Sequence, residues 1–162
     1  MKVLNIHRRT INEPIEKVAE AVATVSTPAD KIWPNEHWPA MKFKNGIGVG
    51  EKGGHGPIRY TVEKYQPSEI IQFQFTRPKG FNGIHKLELK DLGNGKTEIS
   101  HTIDINTSGK GTWLWIFGIR SLHDALLEDA FDKLENNFTG GNKKSEWSAW
   151  VKFLRRQMAR SS

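Results

Sequence analysis

The 162-residue chain is of single-domain length, carries no cysteine, and is 36% hydrophobic and 26% charged with six tryptophans and eight phenylalanines. That composition excludes disulfide staples, thiolate metal centres and a cysteine nucleophile, and it is too aromatic for a disordered chain. The formal net charge is +6, but 143–160 alone holds six basic residues against Glu146, so the rest of the chain is nearly neutral and a general nucleic-acid binder is not indicated. The opening residues turn polar too soon for a signal peptide and no run approaches a membrane span, which makes the cytoplasm the expected compartment.

In chain order, Val3 to Ile11 reads as a strand, stopped by Asn12-Glu13-Pro14, with Asn12 or Glu13 near the cap of a helix that begins at Pro14. Ile15, Val18, Ala19, Val22 and Val25 recur at helical spacing, and Thr27 to Trp33 suggests a second short helix ended by Pro34. The glycines from Gly46 to Gly56 mark a loop-rich passage between edge strands. Alternation then predicts a meander: Ile58, Tyr60 and Val62; Ile71, Phe73 and Phe75; Leu87 and Leu89; Ile99, Ile103 and Ile105. Turn-forming residues at 66–69, 78–83 and 93–96 separate these runs.

From about Thr112 to Phe138 no proline interrupts a helical pattern carrying Leu114, Phe117, Ile119, Leu122, Leu126, Leu127, Ala130, Phe131 and Leu134 on a buried side. Gly140-Gly141-Asn142 ends it. A last helix, with Ser145 as its expected cap, is basic and amphipathic: Trp147, Trp150, Val151, Leu154 and Met158 form one stripe, with Lys152, Arg155, Arg156 and Arg160 elsewhere. It would cover the domain with its tryptophan face, or lie on an anionic membrane surface or a partner.

Strand, short helices, meander and long terminal helix together resemble the SRPBCC superfamily, which includes START, birch-pollen-allergen-like and polyketide-cyclase-like proteins. The segments Ile11 to Val18 and Tyr65 to Phe73 are similar to its strand-to-helix entry and its central hairpin; Trp33-Pro34, Trp38-Pro39, Gly54 to Tyr60 and Leu122 to Leu127 resemble an uncharacterised bacterial branch. The resemblance implies an α+β helix-grip fold over residues 1–138, a curved antiparallel sheet wrapped around the long helix, followed by a helical extension over 139–162. It implies a hydrophobic or aromatic small molecule, or a lipid, in an internal cavity; a cyclase or dehydratase would use the same cavity.

Strand parity puts Tyr60, Phe73, Phe75, Arg77, His85, Leu87, His101 and Ile103 on one face, the expected binding face, with Trp33 and Trp38 over its mouth. In an enzyme His85 and His101 are the candidate acid–base residues, with Arg77 or Tyr60 polarising a carbonyl. On the first strand Asn5, His7 and Arg9 share the face of Ile11, and the sequence does not say which face is inner. His37, His55 and His123 lack paired ligand spacing, so no metal and no bound cofactor are expected. His123 and Asp124, being adjacent on a helix, are expected to diverge and not to form a dyad.

Overall fold

The computed structural model describes residues 1–160; Ser161 and Ser162, the end of the expected extension, lie outside the described residues. Seven antiparallel strands form one sheet in the order β1-β7-β6-β5-β4-β3-β2. They are β1 (Lys2–Ile11), β2 (Lys42–Phe43), β3 (Lys52–His55), β4 (Ile58–Gln66), β5 (Ile70–Arg77), β6 (Phe81–Gly93) and β7 (Lys96–Thr107). Strands β3 to β7 follow sequence order, as short hairpins require; the N-terminal strand closes onto β7, with His7 opposite His101. The helices are α1 (Ile15–Val22), α2 (Lys110–Leu114), α3 (Arg120–Thr139) and α4 (Ala149–Arg160), and a π-helical turn, Trp115–Ile119, joins α2 to α3 into 30 continuous residues.

Alternation buries Ile71, Phe73 and Phe75 on β5 and Ile99, Ile103 and Ile105 on β7 against the long helix, whose Leu126, Ala130, Phe131 and Leu134 supply the other half of the core. On β4 the register shifts between Val62 and Lys64, so the inward face passes from Ile58, Tyr60 and Val62 to Tyr65. Two glycines of the expected loop instead form part of β3. Gly54 cannot carry a side chain there, since a Cβ would lie 2.1 Å from the Ile58 carbonyl oxygen. The long helix ends at Gly140, which takes the left-handed C-cap at φ 64°.

Three local expectations change. The first helix is capped at Pro14 itself, with no side-chain cap from Asn12 or Glu13. Residues 27–33 are turns, because the Asp30 carboxylate accepts the backbone N–H groups of Ser26, Ile32 and Trp33 and so replaces helical bonding. The π turn rotates the face that precedes it, so Trp115 is buried while Leu114 and Phe117, expected inside, are exposed.

The helix α3 is fixed to β1 by charge. The inner face of β1 is the Ile11 face, and Arg9 reaches Glu128 at 2.8 Å, Asp132 at 3.0 Å and Glu135 at 2.9 Å. The expected extension packs on the same core through Val151. The Asp129 carboxylate accepts hydrogen bonds from both Trp38 Nε1 (2.7 Å) and Trp147 Nε1 (2.9 Å). Ser145 does not cap the last helix. Its hydroxyl donates to Asp132, and Ser148 Oγ accepts the Val151 N–H instead.

Replacing Arg9 by Ala leaves the buried Asp132 carboxylate without its ion partner and should cost about 2–3 kcal/mol in urea denaturation at neutral pH. Arg9→Lys should recover less than half of that, because one ammonium cannot span three carboxylates. A lysine variant as stable as the parent would show that the clamp contributes charge and not geometry.

Candidate cavity and its histidine row

Between the concave sheet and α3 lies a partly open space of about 150 Å³ whose lining is almost wholly apolar. Val25, Trp33, Trp38 and Met41 come to it from the segment after α1; Phe73, Phe75, Leu87 and Ile103 from the sheet; Ile119, Leu122, Leu126 and Phe131 from the π turn and α3; and Met158 from α4. Its polar lining is imidazole: His55, His85, His101 and His123.

These rings form a row across the sheet. His55 Nδ1 is 3.1 Å from Tyr60 Oη, and Tyr60 meets the His85 ring edge-on at 4.8 Å. His85 stacks on Phe73 at 4.7 Å and 19°, and its Nδ1 is 3.3 Å from His101 Nε2. His101 lies 4.9 Å, ring to ring, from His123. Burial pushes the pKa of His85 and His101 well below the usual histidine value, that of His123 below it, and that of His55 down to about 3, with neighbouring imidazoles adding to the effect. The row is therefore neutral at pH 7. His85 Nε2 and His101 Nδ1 are sealed from solvent without a hydrogen-bond partner.

At the end of the row the chemistry changes. His7 Nε2 is 2.9 Å from Asp124 Oδ1, and its Nδ1 is 3.3 Å from Glu128 Oε1. Asp124 Oδ1 also accepts from Asn5 Nδ2 at 3.0 Å, and His123 Nδ1 stands 3.8 Å from the same oxygen. The hydrogen bond to Asp124 raises the His7 pKa against the opposing effect of burial. Burial pushes the Asp124 carboxyl up, but contacts from His123, His7 and Asn5 outweigh it and hold that group well below the usual carboxylate range.

The structure brings Phe73, Phe75, His85, Leu87, His101, Ile103, Trp33 and Trp38 together around one space. Tyr60 is buried behind that lining with its hydroxyl turned to His55. Arg77 stays outside: β5 pairs with β6 only as far as Gln74, so by Arg77 the concave face has ended and the guanidinium is in solvent. His123 and Asp124 make no hydrogen bond to each other; it is His7, arriving from β1, that bridges Asp124 and Glu128 on α3. The sequence does not show Asn5, His7 and Asp124 as one site, because more than 100 residues separate Asp124 from the other two; what it shows is the shared parity of Asn5, His7 and Arg9.

No protein-family model matches the chain, and no curated protein does. Solved structures do match. CalU16 from Micromonospora echinospora aligns over 99% of this chain and 94% of its own, with a TM-score of 0.58 and 14% identity. Norcoclaurine synthase from Thalictrum flavum, in complex with dopamine and hydroxybenzaldehyde, aligns over 89% and 90%, with a TM-score of 0.65 and 9% identity. A START superfamily protein from Mycobacterium smegmatis aligns over 85% and 97%, with a TM-score of 0.57 and 11% identity. The fold is thus the α+β helix-grip arrangement that these structures share. Among the described residues no helix is long and apolar enough to cross a membrane.

The neutral row makes stability depend on pH. In the unfolded chain the four imidazoles titrate near 6.5. Above that value both states are uncharged and their contribution is complete; below it the unfolded chain gains protons before the folded one, whose His55, His85 and His101 stay neutral, and stability is lost as the pH falls. Each imidazole contributes about 1.4 kcal/mol per pH unit, so with three still neutral the slope between pH 5.5 and 5 approaches about 4 kcal/mol per unit. His7, raised, is protonated in both states across that range and adds no slope there. Urea denaturation at pH 7.5, 6, 5.5 and 5 measures this, and a flat profile would contradict a buried neutral row.

Proposed function

We propose that this chain binds a small, neutral, monocyclic aromatic molecule carrying one hydrogen-bonding group. The observation that carries the reading is the apolar space of about 150 Å³ lined by neutral histidines, two of which have a ring nitrogen without a hydrogen-bond partner. An apolar cavity of about that size in another protein holds benzene, and a lipid chain or a polycyclic polyketide needs several times more room. The neutral imidazoles provide no counter-charge for an acid, yet each free nitrogen would satisfy a phenol, aldehyde or ketone, and Phe73, Phe75 and Trp33 suit an aromatic ring. Norcoclaurine synthase, of similar fold, is known in complex with dopamine and hydroxybenzaldehyde, two single-ring compounds, which supports the ligand class without identifying the ligand.

Phenol and toluene, nearly equal in shape, test it by calorimetric titration. The parent protein should prefer phenol by about tenfold, the value of one buried hydrogen bond. The double variant His85→Phe/His101→Phe removes both partners together and should lose that preference while staying folded. Leu122→Trp should fill the space and abolish binding of both probes. Equal affinities in the parent protein would sink the polar part of the proposal, and no binding of either would sink the whole.

A second reading rests on a separate observation, an exposed aromatic patch beside the π turn, and assigns this face to an anionic membrane surface. Trp113 and Phe117 are 63% and 58% exposed and stack at 5.7 Å; Trp150 stacks on Phe153 and bonds the Phe117 carbonyl, so the two pairs adjoin. Leu114 and Ile116 are exposed with them, and so are Lys110, Arg120, Lys152 and Arg156. Neither Lys110 to His123 nor Ala149 to Arg160 contains an acid. Wedge-like aromatics inside a cationic rim match a lipid interface, where each basic residue contributes about 1 kcal/mol. Ile119 and Met158 reach the cavity from the elements that carry the patch, which would let an apolar ligand enter from the lipid side. Sedimentation with phosphatidylglycerol-containing vesicles should recover the protein, and Trp113→Ser/Phe117→Ser should reduce recovery several-fold. Equal recovery of both proteins would remove this reading and leave the cavity proposal standing.

A further inference from the structure

The geometry at the end of the histidine row points to a binding site for a divalent first-row transition metal, held by His7, His123 and Asp124. One ligand atom from each of the three residues lies within 4.8 Å of the others. The set of two imidazoles and one carboxylate suits zinc, ferrous iron or cobalt, and holds nothing that selects the softer copper(I) ion.

Two further features separate this cluster from an ordinary ion pair. Both ring nitrogens of His123 are sealed from solvent and neither has a hydrogen-bond partner, and Asn5, whose Nδ2 donates to Asp124, has an orphaned acceptor in its Oδ1. A buried imidazole with both nitrogens unmatched and a neighbouring amide oxygen without a donor are costly in an apolar setting; a cation set among them would satisfy a nitrogen lone pair and the oxygen together. The surrounding contacts also have the form that metal-ligating groups take. His7 presents Nε2 toward Asp124, while its Nδ1 faces Glu128, which Arg9 holds at 2.8 Å; this carboxylate–imidazole arrangement fixes the ring with one nitrogen directed at the site. Asn5 Nδ2 holds Asp124 in the same way. The sequence predicts no such site, since its ligands come from β1 and α3 and only His123 and Asp124 are near each other in the chain.

The site adjoins the cavity, because His123 lines it and stands in ring contact with His101. It does not depend on the cavity being used for aromatic ligands.

The untagged full chain, stripped with a chelator and dialysed, is titrated with Zn²⁺ by calorimetry and with Co²⁺ by visible absorption. One metal per chain is expected, with a zinc Kd at or below about 1 µM. His123→Gln and Asp124→Asn should each weaken binding by at least about tenfold. His37→Gln, which removes an exposed histidine outside the cluster, should leave it unchanged. Zn²⁺ should raise the midpoint of thermal unfolding of the parent protein and of His37→Gln, and raise it less in the other two at the same concentration, a readout that also reports whether each variant is folded. Failure of the parent to take up either metal, or equal binding by His123→Gln and the parent, would overturn the proposal. If Asp124→Asn is unfolded, His123→Gln decides alone, and the reverse holds equally.

Discussion

The structure depends on how α3 is held above the sheet. A helix lying across a curved sheet would settle until its side chains filled the gap, and the apolar residues here carry no instruction to stop short. The polar seam along β1 supplies it. Alternate residues of the strand advance about 6.6 Å per pair and a helix advances about 6 Å per four residues. Asn5, His7 and Arg9 therefore keep step with Asp124, Glu128, Asp132 and Glu135 along the same direction. These contacts fix both the height and the rotation of α3, and the space over Phe73 and Ile103 is what remains.

The opposite flank is fixed by different means. Asp129 takes the indole N–H groups of Trp38 and Trp147, tying the segment after α1 and the start of the C-terminal extension to the same turn of α3. Arg155 lies over both indole rings, 4.7 Å from Trp38 and 5.8 Å from Trp147, with its charge toward Asp129. The tail is thus part of the cavity's enclosure. Its apolar stripe divides: Trp147 and Val151 face the core while Trp150 and Phe153 face outward beside Trp113 and Phe117. One helix therefore covers the domain and still leaves aromatic rings exposed on its other side.

Legibility from the sequence follows the range of the interactions. Period-two and period-3.6 patterns are local, so Ile71, Phe73 and Phe75, or Leu126, Ala130 and Leu134, declare their element and their inner face without tertiary information. The inward direction of His85 and His101 came from the same parity. What failed was local geometry overridden by a single group. Asp30 captured three backbone N–H groups and dissolved a predicted helix, and a π turn reversed the burial of Leu114, Trp115 and Phe117. The inner face of β1 was undecidable because both faces carry polar residues, and its partners on α3 lie more than 110 residues away. The acids at 124, 128, 132 and 135 do share a helical face in the sequence, but a row of acids on a helix ordinarily faces water. Only the strand opposite gives it meaning.

The contrast between the two halves of the polar row bears on its chemistry. From His55 to His123 the rings are buried among aromatics, and burial keeps them neutral. Past His123 the seam holds four carboxylates, of Asp124, Glu128, Asp132 and Glu135, together with Arg9, and His7 there is biased toward the charged form. A proton or a cation is therefore favoured at the β1–α3 seam and disfavoured in the cavity, two groups apart. An uncharged ligand among His85, His101 and Phe73 would meet no competing charge, while the positive charge favoured along this row lies beyond His123. The same fold can thus keep an apolar pocket dry and neutral and still place a Lewis-acidic or protonated group within one imidazole of it. Which of these occupies the seam determines whether His123 is a wall of the pocket or a link from the pocket to an ion.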